Sequence, residues 1–242
     1  MYTLEKRGSI FFLTLTGGDE EHRLNPSLIA SIRSALCEVR QQSTRGSVLI
    51  TTASGKFFSN GFDLAWAQAA GSTAAAKDRV SHMVRLFKPV VADLMSLPMP
   101  TIAAVTGHAA AAGMILAMSH DYVLMRSDRG VLYMSELDIG MTFPDYFTAM
   151  MRSKIGSAAA RRNVMMKAMK LRAAEAVAMG IVDSAYDSGD ATVDAAVRLG
   201  EELASRKWDG QVYGEIRKSM HPELCGILGL ADKLVIIASS KL

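Results

Sequence analysis

Much that a sequence of 242 residues could carry is scarce in this one. There are only two cysteines, Cys37 and Cys225, and no Cys-x-x-Cys or Cys/His cluster. That excludes a disulfide framework and gives no footing for a metal site. Both thiols read as free and buried. No apolar run reaches the ~20 residues that cross a bilayer, so no membrane span is expected. The opening MYTLEKRGSIFF puts charges where a secretory signal needs its apolar stretch. Basic runs are absent and the formal net charge is only +3, which speaks against nucleic acid and is compatible with an anionic small ligand. There is no fixed-period repeat and no low-complexity linker.

What is present is ordinary globular composition, with half the residues hydrophobic and 21% charged. The sixteen methionines lie mostly among Ala and Leu at helical spacing and read as adaptable core filler. The length suits one large α/β domain, or one with a small helical appendage. The last three residues, Ser240, Lys241 and Leu242, form the tripeptide read as a peroxisomal address. They predict a peroxisomal localisation, an import receptor as partner, and an exposed tail.

Along the chain, Tyr2–Lys6 and Ile10–Thr16 read as a hairpin turned at Arg7-Gly8-Ser9. Pro26 opens a helix carried by Leu28, Ile29, Ile32, Leu36 and Val39. Ser47–Thr52 reads as a buried strand, and Ala53–Gly61 as a loop. Helices are expected over Leu64–Ala70 and Asp78–Leu97, the second bent near Pro89. Thr101–Val105, Tyr122–Met125 and Val131–Tyr133 read as strands, with a turn at Thr106-Gly107-His108 and a short helix over Ala112–Ser119. Beyond Pro144 the pattern is helical, near Asp145–Lys154, Ala158–Met169, Ala173–Met179, Ala191–Ser205 and Gln211–Met220. Strands alternating with helices, then helices alone, argue for an α/β core followed by a helical section.

Three segments carry chemistry. Lys56–Leu64 (KFFSNGFDL) joins a strand to a helix, and its glycine lets the backbone turn and present an N–H. Val105–Ile115 (VTGHAAAAGMI) is again strand, turn and helix. Its small residues admit a close backbone or ligand, and a helix start offers unpaired N–H groups. It is not a Walker A loop, because no Lys-Ser/Thr follows the second glycine. Tyr133–Gly140 (YMSELDIG) sets Glu136 among Met134, Leu137 and Ile139, where apolar surroundings raise a carboxyl pKa into the range of a proton shuttle. Each segment alone is equally met by a tight turn, close alanine packing or a helix-capping carboxylate.

In this order and spacing, the three resemble the crotonase (enoyl-CoA hydratase/isomerase) superfamily. Glu20–Ser31 (EEHRLNPSLIAS) looks like its first CoA-contact loop and helix, and Ala173–Asp183 (AAEAVAMGIVD) like its Ala-Glu-Ala…Gly-Ile/Leu-Val-Asp stretch. Within the family the likeness is greatest to plant peroxisomal Δ3,Δ2-enoyl-CoA isomerases. The resemblance implies a crotonase-like spiral of β-β-α units over residues 1–185, and a C-terminal helical section, 186–242, bearing the targeting tail. It implies an acyl-CoA substrate, no cofactor beyond the CoA that the substrate brings, no metal, and a homo-oligomer, trimer or hexamer.

Residue by residue, it places one oxyanion-hole donor on Phe62, after Gly61, and the other on Ala112, where the family usually has glycine. Hydratases of the family carry two glutamates; here the first position is Ile115 and the second is Glu136. One base can take a C2 proton and return it at C4, whereas hydration calls for two groups, so the missing partner favours isomerisation of a 3-enoyl-CoA to trans-2-enoyl-CoA. Hydration, another thioester reaction, or binding without turnover are the alternatives. Arg23, with His22 beside it, is the expected phosphate contact. Asn60, Gly61, Asp63, Leu64, Ala111 and Ile115 complete the expected substrate site, with Asp63 pinning its loop. His108 reads as a packed residue, and Asp138 and Asp145 rank below Glu136 as proton carriers.

Overall fold

The computed structural model describes residues 1–17, 20–230 and 236; the tripeptide 240–242 lies outside them. The chain begins with a hairpin, β1 (Tyr2–Arg7) and β2 (Ile10–Leu15), turned at Gly8 with φ 60°. Helix α1 (Pro26–Gln41) follows, its first turn capped by the Asn25 side chain, which accepts from the Leu28 amide at 2.9 Å. Then come β3 (Val48–Ala53), β4 (Phe57–Ser59), α2 (Leu64–Gln68) and α3 (Thr73–Met95); β5 (Thr101–Val105), β6 (His108–Ala110) and α4 (Ala112–Met118); β7 (Tyr122–Arg126), β8 (Leu132–Tyr133) and α5 (Asp145–Lys154). The chain continues through α6 (Ala158–Met166), α7 (Ala173–Ala178), β9 (Ser184–Tyr186), α8 (Gly189–Ser205), α9 (Gly210–Met220) and α10 (Pro222–Ile227).

The expected spiral of β-β-α units is the observed architecture. In each later unit the first strand joins a six-stranded sheet, ordered β1-β2-β3-β5-β7-β9, and the second joins a three-stranded sheet, ordered β4-β6-β8. Among the described strands β1 and β2 pair antiparallel and the other pairs are parallel. Period-2 alternation explains the two cores. From β2, Phe11, Leu13 and Leu15 face the main core with Ile29, Phe87 and Ile115. Ile10 and Phe12 face the other way, joining Val48, Ile50 and Ile102 under Ala195, Ala196 and Leu203 of α8. Fully burying side chains such as Ile50 and Ile102 contributes roughly 1.5–3 kcal/mol each. Gly200 lets α8 sit close, since a Cβ there would lie 3.3 Å from the Cδ1 atoms of Ile10 and Ile50.

The differences from the sequence reading have physical causes. Strands β4, β6 and β9 span three residues each, too short for an alternation to register, and β4 and β6 had read as loop and turn. Helix α3 starts at Thr73 rather than Asp78, because Ser72 caps it by accepting from the Ala75 amide at 3.2 Å; Pro89 lies inside it. Helix α10 was not foreseen. Cys225 is buried as expected, but Cys37 is exposed on α1.

An ion pair fastens α9 to the segments that lead into β5 and β7. Arg217 Nε and Nη2 donate to the two Asp121 oxygens at 2.5 Å, while Nη1 donates to the Leu97 carbonyl at 2.7 Å. Thr101 and Tyr213 donate to the same carboxylate. Burial alone would raise the Asp121 pKa; the Arg217 charge and hydrogen bonds outweigh it and hold the carboxyl below its ordinary range. This pair therefore contributes stability at neutral pH that is lost as pH falls through that depressed pKa. Arg217→Met, which leaves Asp121 buried without its cation, is expected to lower unfolding stability by about 3–5 kcal/mol in a denaturant titration at neutral pH.

Candidate active site

The small sheet builds the site. Its three strands are parallel, with Phe57 opposite His108, Ser59 opposite Ala109, and Ala110 opposite Tyr133. Parallel strands share a C-terminal edge, where ligands of open α/β sheets characteristically sit. From that edge β4 leads into Gly61-Phe62, β6 into Ala111-Ala112, and β8 into Glu136. All three expected catalytic positions thus leave one edge of one sheet.

The close approach depends on missing side chains. A Cβ on Gly113 would stand 2.2 Å from the Ser59 carbonyl oxygen, and one on Gly107 would stand 2.3 Å from that of Lys56. Gly61 has φ 74°, and a Cβ on it would lie 2.9 Å from the Ala110 oxygen and 3.4 Å from the Ala112 nitrogen. The backbone of the first donor segment therefore runs directly beside the second.

Both candidate donors keep their amides unengaged. The Gly61 carbonyl accepts from the Leu24 amide at 2.8 Å and the Asp63 amide donates to Leu24 at 3.4 Å, so this bridge uses the groups on either side of the Phe62 N–H. Ala112 is the first residue of α4, where no intrahelical acceptor exists. No described residue accepts from the Phe62 or Ala112 amide. Ala111 donates to the Tyr133 carbonyl at 2.8 Å and holds φ 49°, a left-handed conformation rare for a residue with a Cβ. Ala112 itself is wholly buried in the main core, as is Ile115, one turn along the helix.

Glu136 opens a turn closed by its own carbonyl, which accepts from the Met141 amide at 2.8 Å. It is 4% exposed, and Oε2 has no hydrogen-bond partner among the described residues. Burial pushes its pKa up to about 7, opposed in part by its own backbone N–H. The rivals differ: Asp138 is exposed on the turn, and Asp145 is the first residue of α5, its carboxylate accepting from the Tyr146 amide at 2.7 Å.

The loop before α1 lies along β4 as a further strip of backbone. Asn60 N donates to the Glu21 carbonyl at 2.8 Å and Ser59 Oγ to that of His22 at 2.8 Å. The Glu21 carboxylate, which sequence reasoning missed, gathers Arg23 Nε at 2.5 Å and Asn60 Nδ2 at 2.8 Å. No spacing marks it; only its place two residues before Arg23 could have drawn notice. His22 corrects the reading that set it beside Arg23 for phosphates: it is buried, with Nδ1 2.9 Å from the Phe57 carbonyl. Asp63 pins its loop as expected, accepting from the Trp66 amide at 2.9 Å, and Leu64 begins α2. His108 packs against the Phe57 ring at 4.9 Å; burial first, then Lys56 and Arg129, lower its pKa. A cavity of about 620 Å³ lies elsewhere, between α1 and α3, and neither Glu136, Phe62 nor Ala112 lines it.

Two unengaged amides and one buried carboxyl at a shared sheet edge define a class: a β-β-α spiral protein that can seat an anionic oxygen near a proton carrier. The chain belongs to the enoyl-CoA hydratase/isomerase family, whose sequence profile matches residues 5–224. It is 64% identical to "Enoyl-CoA delta isomerase 2, peroxisomal" of Arabidopsis thaliana, each chain covered in full. It is 58% identical to "Enoyl-CoA delta isomerase 1, peroxisomal" of the same plant, over 93% of this chain and 91% of that one. Among solved structures, a probable enoyl-CoA hydratase of Mycobacterium tuberculosis H37Rv superposes with a TM-score of 0.82 at 22% identity, over 95% of this chain and 91% of that one.

Two outcomes follow from this geometry. Infrared titration should show a protonated carboxyl band that fades as pH rises through about 7 and is missing from Glu136→Gln. Gly61→Ala, forced into a left-handed conformation against the Ala110 oxygen, should lose at least about 1–2 kcal/mol of unfolding stability in a denaturant melt.

Proposed function

We propose that the chain is a Δ3,Δ2-enoyl-CoA isomerase of fatty acid β-oxidation, shifting the double bond of a cis- or trans-3-enoyl-CoA to trans-2-enoyl-CoA. The observation that carries this reading is a buried carboxyl, Glu136, at the same sheet edge as the Phe62 and Ala112 amides, with the inert Ile115 one turn along the helix that Ala112 begins. The relatives named as enoyl-CoA delta isomerases support it.

The thioester oxygen is held by the Phe62 and Ala112 amides. Glu136, as carboxylate, takes a proton from C2. Electrons move onto the thioester oxygen, giving a dienolate whose charge the two amides carry. The protonated Glu136 then returns the proton at C4, and the double bond settles between C2 and C3. Each amide supplies about 3–4 kcal/mol of transition-state stabilisation when its charge partner forms. A carboxyl pKa near 7 suits both halves, because the group must accept and release a proton of similar affinity. With Ile115 where a second acid would stand, no further group activates water, so hydration is disfavoured.

Asn60, Gly61, Asp63, Leu64 and Ala111 shape the thioester end of the site, and Arg23, oriented by Glu21, meets the anionic part of CoA. No cofactor is needed beyond the CoA of the substrate. The enzyme works in the peroxisome, in keeping with the tripeptide Ser240, Lys241 and Leu242 and with the relatives' names. The import receptor reads that tripeptide. Residues 1–185 carry the chemistry, residues 186–242 the helical section and tail, and the working form is a trimer or hexamer.

Conversion of 3-hexenoyl-CoA, followed by the absorbance of the conjugated product, tests the reading. Glu136→Gln should lower kcat by roughly 10²–10⁴-fold while CoA affinity stays close to wild type. Because the first step needs the carboxylate, kcat should rise as pH climbs through about 7. Full turnover in Glu136→Gln, or 3-hydroxyacyl-CoA as the main product, refutes the assignment.

A further inference from the structure

The first donor carries an aromatic ring, and that ring is held from two sides. Phe62 is half-buried, and its ring stacks on Phe147 at 6.1 Å with the planes 20° apart. The edge of Phe87 meets it at 5.7 Å and 89°. Phe87 and Phe147 also meet each other edge to face at 6.4 Å, and Tyr146 packs on Phe147 at 4.9 Å. Tyr146 Oη donates to the Val84 carbonyl at 2.9 Å, locking the start of α5 onto α3. Phe87, Tyr146 and Phe147 are each at most 1% exposed, so the faces they present are fixed by the core.

The Leu24 bridge holds the backbone on either side of Phe62, through the Gly61 carbonyl and the Asp63 amide, but does not engage the Phe62 amide itself. Gly61 before it is in the conformation glycine alone adopts freely, and among the described residues the Phe62 carbonyl accepts from the Leu64 amide at 2.9 Å. Helix α5 begins a few residues after the Glu136–Met141 turn, so the ring that steadies the donor belongs to the segment that follows the carboxyl. We infer that Phe147 is a positioning residue: by stacking on the Phe62 ring it sets the direction of the Phe62 amide relative to the Glu136 turn. This rests on the isomerase reading for its choice of reaction.

The test compares wild type with Phe147→Leu, Phe147→Met, Phe62→Leu and the double Phe62→Leu/Phe147→Leu variant. Phe11→Leu, another fully buried phenylalanine far from the site in sequence, controls for loss of core packing. A misdirected donor should lower kcat of Phe147→Leu by roughly tenfold or more, with KM within about twofold of wild type. The kcat inflection near pH 7 should stay in place, because the base is untouched. The enolate absorbance of a bound 3-oxoacyl-CoA, which reports charge at the donors, should weaken in parallel. The double variant should be no worse than the poorer single one, since both remove the same stacking contact.

Wild-type kcat and enolate absorbance in cooperatively melting Phe147→Leu and Phe147→Met overturn the inference. So does an equal loss in Phe11→Leu, or a double variant whose losses multiply. If wild type turns over no 3-enoyl-CoA yet binds the 3-oxoacyl-CoA as its enolate, and Phe147→Leu weakens that signal, the isomerase reading falls and the positioning role stands.

Discussion

Everything at the candidate site depends on three short parallel strands packed backbone against backbone. The backbone leading into β6 and the first turn of α4 approach the β4 segment so closely that no methyl group fits at Gly107 or Gly113. With so few residues per strand, the sheet cannot be held by its own hydrogen bonds. It is held because each of its strands is the second member of a pair whose first member is locked into the larger sheet. The precision of the site is thus borrowed from a scaffold that contributes no group to it.

The same scaffold sets the electrostatics. A carboxyl that is 4% exposed, with one oxygen lacking a hydrogen-bond partner among the described residues, resists ionisation because its own backbone N–H replaces only part of the hydration it has lost. Asp121 is the contrasting case in the same chain. It is nearly as enclosed, yet its pKa moves the other way, because Arg217 and three further donors answer it. Burial supplies the same sign of push to both; the partners decide the outcome. One group is thereby fixed as a permanent charge, and the other is left able to change its charge near neutral pH.

Much of this was legible in the residues. The hairpin, α1, β5 and α5 could be drawn from periodicity and caps, and the residues bearing Glu136, Gly61 and the alanine run stood out by composition. The short strands were not legible, because three residues show no alternation, and they are what bring those segments together. Nor did the sequence separate His22 from Arg23. Both are nitrogen-bearing side chains in one loop, and only the fold reveals that His22 turns inward to the Phe57 carbonyl while Arg23 stays partly in solvent, paired with Glu21. The Phe62 ring contacts were invisible for the same reason: Phe87 and Phe147 lie far from Phe62 along the chain and meet it only through α3 and α5.

The Arg217–Asp121 clamp also has a consequence in time. During synthesis, the two donor amides and the Glu136 turn have all left the ribosome long before Arg217 is translated. Until then the Asp121 carboxylate, at the start of a central strand, has no guanidinium to meet and must stay hydrated. Closing the large sheet before then would bury a carboxylate short of its cation, so the clamp adds its stability to the fold only once α9 has been made.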